Sequence, residues 1–204
     1  MANSVNCLGQ TIVPKFLKGQ TLAEIDKQRQ KHGLIDPNDK KKTRYYGVTD
    51  VTIEVKPEWL EPVGSPEVVG GGFKATVKCS KCSVDVSAVT TFCQPKQLGK
   101  LSKDAKKEWK RFGRELEKHE AKHVDDGKKL AEKMRSEVLN LDAWGIGESA
   151  AASHEAAKVA MENLLKKNYH PDEIEKRVNG AMKSRDSIDG HGSGSGATLR
   201  TSIP

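Results

Sequence analysis

Two histidines and a glutamate stand close together in the segment His119–His123, which reads H-E-A-K-H. Because an α-helix repeats every ~3.6 residues, the two imidazoles lie one above the other on one helix face. Both rings can then bind one zinc ion, which lowers the pKa of a water molecule to about 7. Glu120 can reach that water and accept its proton as general base. The spacing therefore indicates hydrolysis of a peptide bond at a zinc site.

The flanking sequence predicts that this segment lies in a long helix over residues 102–141, with Ser102 as its N-cap. His119 and His123 fall in the apolar stripe of that helix, where a core helix would carry Leu or Val. The stripe is read from residues that recur in steps of three and four, namely Ala105, Trp109, Phe112, Leu116, Leu130, Met134 and Val138. The other interpretation is a solvated pair of histidines on a helix rich in Lys and Glu.

A catalytic zinc ion usually has three protein ligands, so a third ligand is needed besides the two histidines. The metzincin pattern would place Gly and His where this chain has Asp126 and Lys129, which excludes that class. Residue type leaves several candidates open for the third ligand: Asp126, Glu137, Glu148, Glu155, His154 and His191. A tyrosine or histidine could stabilise the oxyanion, and the candidates are Tyr45, Tyr46, Tyr169, His154 and His170.

Three further features accompany the H-E-x-x-H segment. A tyrosine-rich strand is predicted at Tyr45-Tyr46-Gly47-Val48-Thr49, and Trp109 lies about ten residues before His119. The third feature is a glycine-rich pattern near the end of the chain, formed by Asp186, His191, Gly192, Gly196 and Ala197. In these features residues 43–199 resemble a bacterial family of secreted zinc-dependent proteases that is catalogued as a domain of unknown function.

The resemblance has two departures and several implications. The family tail reads Y-D-x-x-T-x-H-G-x-x-x-G-A, and here Arg185 replaces the tyrosine and Asp189 replaces the threonine. The resemblance implies a zincin-like metallopeptidase with Zn²⁺ as cofactor and a protein or peptide as substrate. It also favours His191 as the third zinc ligand beside His119 and His123.

The coarse fold class predicted for the chain is α+β. A small antiparallel β-sheet over residues 43–95 precedes the long helix, and two further helices follow at 149–167 and 171–184. Within 43–95 we expect a hairpin near Cys79–Cys82, and Pro95 ends the last strand. We expect an N-terminal extension at 1–42, which holds a short helix from Thr21 to His32, then the peptidase domain at 43–199 and a tail at 200–204.

Composition limits the function classes. No apolar run approaches the ~18 residues that a membrane span needs, and the start of the chain does not read as a Sec-type signal. We expect export by a non-Sec route, and the alternatives are a cytoplasmic location or a signal that has been removed. The formal net charge of +7 arises largely from lysines interleaved with glutamates, so no nucleic-acid partner is expected. The sequence leaves the oligomeric state open.

Four cysteines allow several interpretations. Cys79 and Cys82 form a C-x-x-C pair, but a zinc ribbon would need a second pair. A disulfide among Cys79, Cys82 and Cys93 is expected if the protein works outside the cytosol, and the alternative is reduced thiols.

Two other functions remain open beside the metallopeptidase. One is a basic protein that binds nucleic acid or an anionic surface, for which the lysines of residues 103–118 offer some support. The other is a zincin-like fold that has lost catalysis, although an intact Glu120 argues against it.

Overall fold

A computed structural model of the protein describes residues 4–37 and 39–203. Residues 1–3 and 38 of the expected extension, and residue 204 of the expected tail, lie outside the described residues. The helices and strands in chain order are β1 (Val5–Leu17), α1 (Leu22–His32), β2 (Leu34–Ile35), β3 (Arg44–Tyr45), β4 (Gly47–Pro62), β5 (Glu67–Val69), β6 (Gly72–Pro95), α2 (Lys103–Leu139), β7 (Asp142–Gly147), α3 (Ala150–Tyr169) and α4 (Pro171–Asp189).

The main sheet is mixed rather than antiparallel. Its order is β1–β6–β4, and β5 and β7 also pair with β6. β1 runs parallel to β6, since the Ser4 carbonyl accepts from the Val84 N–H while the Leu17 carbonyl accepts from the Lys96 N–H. β5 and β7 are antiparallel to β6. The α+β class is therefore confirmed, whereas the expectation of a purely antiparallel sheet is wrong because it overlooked β1.

The strand β6 is a single element of 24 residues, so the hairpin expected near Cys79–Cys82 is wrong. The polar residues there continue the strand without a turn, since Lys81 is exposed on it and both cysteines are buried. Pro95 does end the strand, as predicted. Residues Asp142–Gly147, which follow α2, form the strand β7.

The described residues divide into two compact units. The first unit holds those of Met1–Leu8, Thr52–Val86 and Lys128–Val178. In it β7 pairs with Phe73–Lys78 of β6, and α3 contacts β7 closely at Gly145 and Gly147, where a side chain would meet the backbone of α3. Its core contains Val77, Ala143, Ala157 and Met161.

The second unit holds the described residues of Gly9–Val51, Ser87–Gly127 and Asn179–Pro204. The helix α1 begins as predicted, because the Thr21 side chain accepts a hydrogen bond from the Glu24 N–H, and Gly33 caps its end. Two buried clusters form the core: Leu17, Leu22, Ile25, Cys93, Leu101 and Ala105 in one, and Phe92, Phe112 and Leu116 in the other. The boundary expected between an N-terminal extension ending at residue 42 and a domain beginning at residue 43 stays a prediction.

The three buried cysteines are thiols, so the expected disulfide is not formed. The Sγ atoms of Cys79 and Cys82 donate to the carbonyls of Lys81 and Ser83, and Cys93 donates to the Tyr45 carbonyl. Cys79 and Cys82 lie on one extended strand, where residues three apart are separated by about 10 Å, which is beyond the reach of a disulfide. Among the described residues, no helix is both long and apolar enough to span a bilayer.

Candidate metal centre

The helix α2 carries the two histidines and the glutamate of the H-E-x-x-H segment. The Oγ of Ser102 accepts from the Ala105 N–H at the start of this helix, as predicted. His119 and Glu120 are each 2% exposed and His123 is 5% exposed. They continue the buried stripe of Ala105, Phe112 and Leu116. The alternative of solvated histidines is therefore wrong.

Three ligand-type atoms, all from residues of the second unit, form a triangle. Nε2 of His119 lies 3.1 Å from Nε2 of His123. Oδ1 of Asp186 lies 3.4 Å from the His119 nitrogen and 3.2 Å from the His123 nitrogen. Ligand atoms bound to a tetrahedral zinc ion at about 2.0–2.1 Å are separated by roughly 3.3 Å. These three side chains therefore fit a divalent metal ion.

Asp186 is a ligand candidate that the H-E-x-x-H spacing does not predict. The residue lies in the last turn of α4, which extends to Asp189 instead of ending near residue 184 as expected. Its Oδ1 is buried and makes no hydrogen bond with any described residue, although three imidazoles surround it. Burial alone would raise the pKa of Asp186, but His119 and His123 hold it well below the ordinary value. A buried anionic oxygen in this state is suited to a cation.

Asp189 orients the His119 ring. Its Oδ2 lies 2.9 Å from Nδ1 of His119, and its Oδ1 accepts from the Gly192 N–H at 3.2 Å. Since a carboxylate only accepts hydrogen bonds, Nδ1 of His119 carries the proton. In the neutral ring the lone pair then lies on Nε2, on the side of His123 and Asp186. A carboxylate that holds a histidine in this way is typical of metal sites.

A hydrogen-bonded chain and a glycine hold Glu120. Its Oε2 accepts from the Thr49 hydroxyl at 2.8 Å, and that hydroxyl lies 2.8 Å from the Thr90 hydroxyl. A Cβ at Gly47 would lie 2.6 Å from Oε1 of Glu120, so any other residue there would displace the carboxylate. Burial raises the pKa of Glu120 above its ordinary value, against the opposing effect of the Thr49 hydrogen bond.

His191, the expected third ligand, also lies beside the Asp186 oxygen. Its Nδ1 is 3.2 Å from Oδ1 of Asp186, and its ring stacks on Tyr45 with 4.4 Å between centroids. The backbone of His191 has a φ of 54°, in the left-handed region, between Gly190 and Gly192, which also have positive φ. This conformation is costly for a residue other than glycine and places the ring at the cluster.

The other candidates for the third ligand have different contacts. Asp126 accepts two hydrogen bonds from Arg185, at 2.7 and 2.9 Å. Glu137, in the first unit, accepts from Tyr169 and Arg177. Within the described ranges, the groups of side chains that could hold a metal include none of Asp126, Glu137, Glu148, Glu155 or His154.

A cavity of about 470 Å³ opens onto these residues within the second unit. His119, Glu120, His123, Asp186 and His191 all line it. Two of the expected oxyanion candidates, Tyr45 and Tyr46, line it as well, and their hydroxyls donate to Asp39 and Asp26. The candidates Tyr169, His154 and His170 belong to the first unit. A cavity of this volume is in the range that binds small molecules.

Comparison with known proteins identifies a family but no activity. No curated protein and no solved structure matches the chain. A family model described as a bacterial protein of unknown function matches residues 16–180, which include the H-E-x-x-H segment and end before Asp186 and His191. Because that match spans most of the chain, the protein belongs to the DUF922 family of bacterial proteins of unknown function.

Proposed function

We propose that the protein is a zinc-dependent metallopeptidase with a zincin-like site, in which His119, His123 and Asp186 hold the ion. The observation that carries this proposal is the triangle of ligand atoms with sides of 3.1, 3.4 and 3.2 Å. Two imidazoles and one carboxylate are a common ligand set of catalytic zinc and leave a fourth position open. The buried Glu120 beside them supplies the base that hydrolysis requires.

Each residue of the site has a different role in the proposed hydrolysis. Zinc, when bound, supplies Lewis acidity, which polarises a peptide carbonyl and acidifies water. Glu120 accepts the proton of the attacking water and returns it to the leaving amine. Thr49 holds one oxygen of Glu120 at 2.8 Å and keeps the carboxylate in place. Asp189 keeps the Nε2 lone pair of His119 directed to the ligand triangle.

A substitution of the base tests the activity separately from metal binding. We expect Glu120→Gln to keep its zinc and to lower the hydrolysis of an unfolded protein substrate by about 100- to 10,000-fold. Glu117→Gln is the matched control, because Glu117 is exposed on the same helix. If the Glu120 variant cleaves as fast as the parent, or if neither protein binds zinc, the proposal fails.

Two substitutions distinguish Asp186 from His191 as the third ligand. With Asp186 in that position, Asp186→Ala releases the ion held by the H-E-x-x-H histidines, whereas His191→Ala leaves that ion bound. Zinc content after dialysis against a weak chelator measures both, with circular dichroism to check the fold. If His191→Ala releases the ion held by the H-E-x-x-H histidines and Asp186→Ala does not, His191 is the third ligand.

A further inference from the structure

A second group of ligand-type side chains adjoins the proposed zinc site. One carboxylate oxygen or ring nitrogen from each of Asp36, Asp186 and His191 lies within 4.8 Å of the others. Asp186 belongs to both groups, since its Oδ1 is 3.2 Å from the His123 nitrogen and 3.2 Å from Nδ1 of His191. The buried Oδ1 of Asp186 is therefore close to side chains of both groups.

The hydrogen bonds of His191 determine which ring nitrogen has a lone pair. The Tyr45 hydroxyl donates its single proton to Oδ2 of Asp39 at 2.8 Å, and burial raises the pKa of Tyr45 to about 12. Nε2 of His191, 3.2 Å from the same hydroxyl, must therefore be the donor in that contact. In the neutral ring the lone pair is then on Nδ1, which is the nitrogen beside Asp186.

This arrangement brings two hydrogen-bond acceptors close to each other. The Nδ1 lone pair of His191 and Oδ1 of Asp186 lie 3.2 Å apart, and the oxygen is buried without a hydrogen bond among the described residues. A positive charge between the two atoms, either a proton on Nδ1 or a metal ion bound to both, removes the repulsion between them. Asp36 adds a second carboxylate, and carboxylate oxygens together with an imidazole nitrogen are ordinary ligands of divalent metal ions.

The backbone places His191 at this position in spite of strain. Its φ of 54° lies in the left-handed region, and the ring is fixed by stacking on Tyr45. The His191 N–H donates to the Asp186 carbonyl at 3.3 Å, which closes the turn after α4. Strained conformations of this kind concentrate at functional sites.

We propose that a second divalent cation binds between Asp36, Asp186 and His191, and that the Asp186 carboxylate bridges it to the ion held by His119 and His123. The inference rests on the proposed zinc site, because the bridge requires that first ion. Paired ions that share ligands lie about 3.5–4 Å apart in hydrolases and stabilise both the attacking and the leaving groups. Asp36, His191 and Glu120 line the same cavity, so both ions would face one substrate.

Counting ions on the full chain tests the inference. The protein is stripped with chelator, equilibrated with excess zinc, dialysed and measured by mass spectrometry of the metal. We expect two zinc ions per chain in the parent and one in Asp36→Asn. One ion per chain in the parent, or an unchanged count in Asp36→Asn, would overturn the second site. No bound ion at all would overturn the proposed function as well.

A control variant and a second measurement distinguish loss of the second ion from general effects of the substitution and from metal bound elsewhere. Asp172→Asn makes the same chemical change at a carboxylate that is 86% exposed, and it should keep two ions. Cobalt-loaded parent protein should show magnetic coupling between its ions in electron paramagnetic resonance, and Asp36→Asn should lose that coupling. Two uncoupled cobalt ions in the parent would contradict the bridge by Asp186.

Discussion

His119 and Asp189 form a hydrogen bond of 2.9 Å that connects the middle of α2 to the last residue of α4. The bond places the proton of the ring on Nδ1 and directs Nε2 to His123 and Asp186. At Asp189 the chain departs from the tail pattern that it otherwise resembles, and the substituted residue has an identifiable role here. Asp189 is a positioning residue that acts through His119.

Removal of the Asp189 carboxylate should weaken zinc binding. In Asp189→Ala the His119 ring loses its acceptor, so we expect zinc affinity to fall by about 10- to 100-fold, as for other carboxylates that hold metal-binding histidines. Competition with a chromophoric chelator measures the affinity. Ser187→Ala, in the same turn and exposed, is the control that should bind as the parent does. Equal affinity in the Asp189 variant would contradict this role.

A methyl group at Gly47 should displace Glu120. Its Cβ would lie 2.6 Å from Oε1 of Glu120, so we expect Gly47→Ala to lower stability by about 1–3 kcal/mol and to slow hydrolysis while zinc stays bound. Urea unfolding and a peptide-cleavage assay measure the two effects. Gly113→Ala is the matched control in α2, where the methyl group meets open space and should stabilise by about 0.5–1 kcal/mol. Equally small changes in stability and hydrolysis in both variants would contradict the contact between Gly47 and Glu120.

The ion pair of Asp126 and Arg185 should contribute to stability without contributing to metal binding. Both side chains are half-buried, and two hydrogen bonds of 2.7 and 2.9 Å join them. We expect Asp126→Asn to lower the free energy of unfolding by about 1–3 kcal/mol and to leave the zinc count unchanged. The double variant with Arg185→Gln should cost less than the sum of the single variants. Loss of zinc from Asp126→Asn would restore that residue as a ligand candidate.

Asp26 should make the stability of the second unit depend on pH. Burial alone would raise its pKa, but hydrogen bonds from Arg29 and Tyr46 outweigh that effect and lower it in the folded protein. A lowered pKa means that the unfolded chain takes up the proton first. The contribution to stability is then complete above the ordinary aspartate pKa of about 3.9 and is lost as the pH falls through the folded value.

The measurement for Asp26 is a pair of unfolding curves at several pH values. The free energy of unfolding of the parent should exceed that of Asp26→Asn by a constant amount above about pH 5, where unfolded aspartates are ionised. Below about pH 4 the difference should shrink. A difference that does not change with pH would show that the Asp26 charge has no part in the fold.

The sequence predicts local features of the site well, because they depend on a single helix. The periodicity from Ala105 to Leu116 places His119 and His123 on the buried face, and Ser102 marks the start of α2. Thr21 marks the start of α1 in the same way. In each case short-range spacing and side-chain chemistry are sufficient.

The sequence does not predict Asp186 because it joins the site from a distant element. Residues 186–197 are rich in glycine and serine, which indicates a flexible tail, yet α4 continues to Asp189 and carries Asp186 and Asp189 on one face. The one available signal is their spacing of one helical turn. The parallel pairing of β1 was missed for a similar reason, since long-range strand pairing has no short-range pattern.

Anomalous scattering at the zinc absorption edge, from crystals of the zinc-loaded protein, tests the proposed centre most directly. We expect a strong peak within bonding distance of Nε2 of His119, Nε2 of His123 and Oδ1 of Asp186, at about 2.0–2.2 Å from each. A zinc-loaded crystal with no peak beside these three atoms, or with peaks only at other residues, would contradict the metallopeptidase proposal.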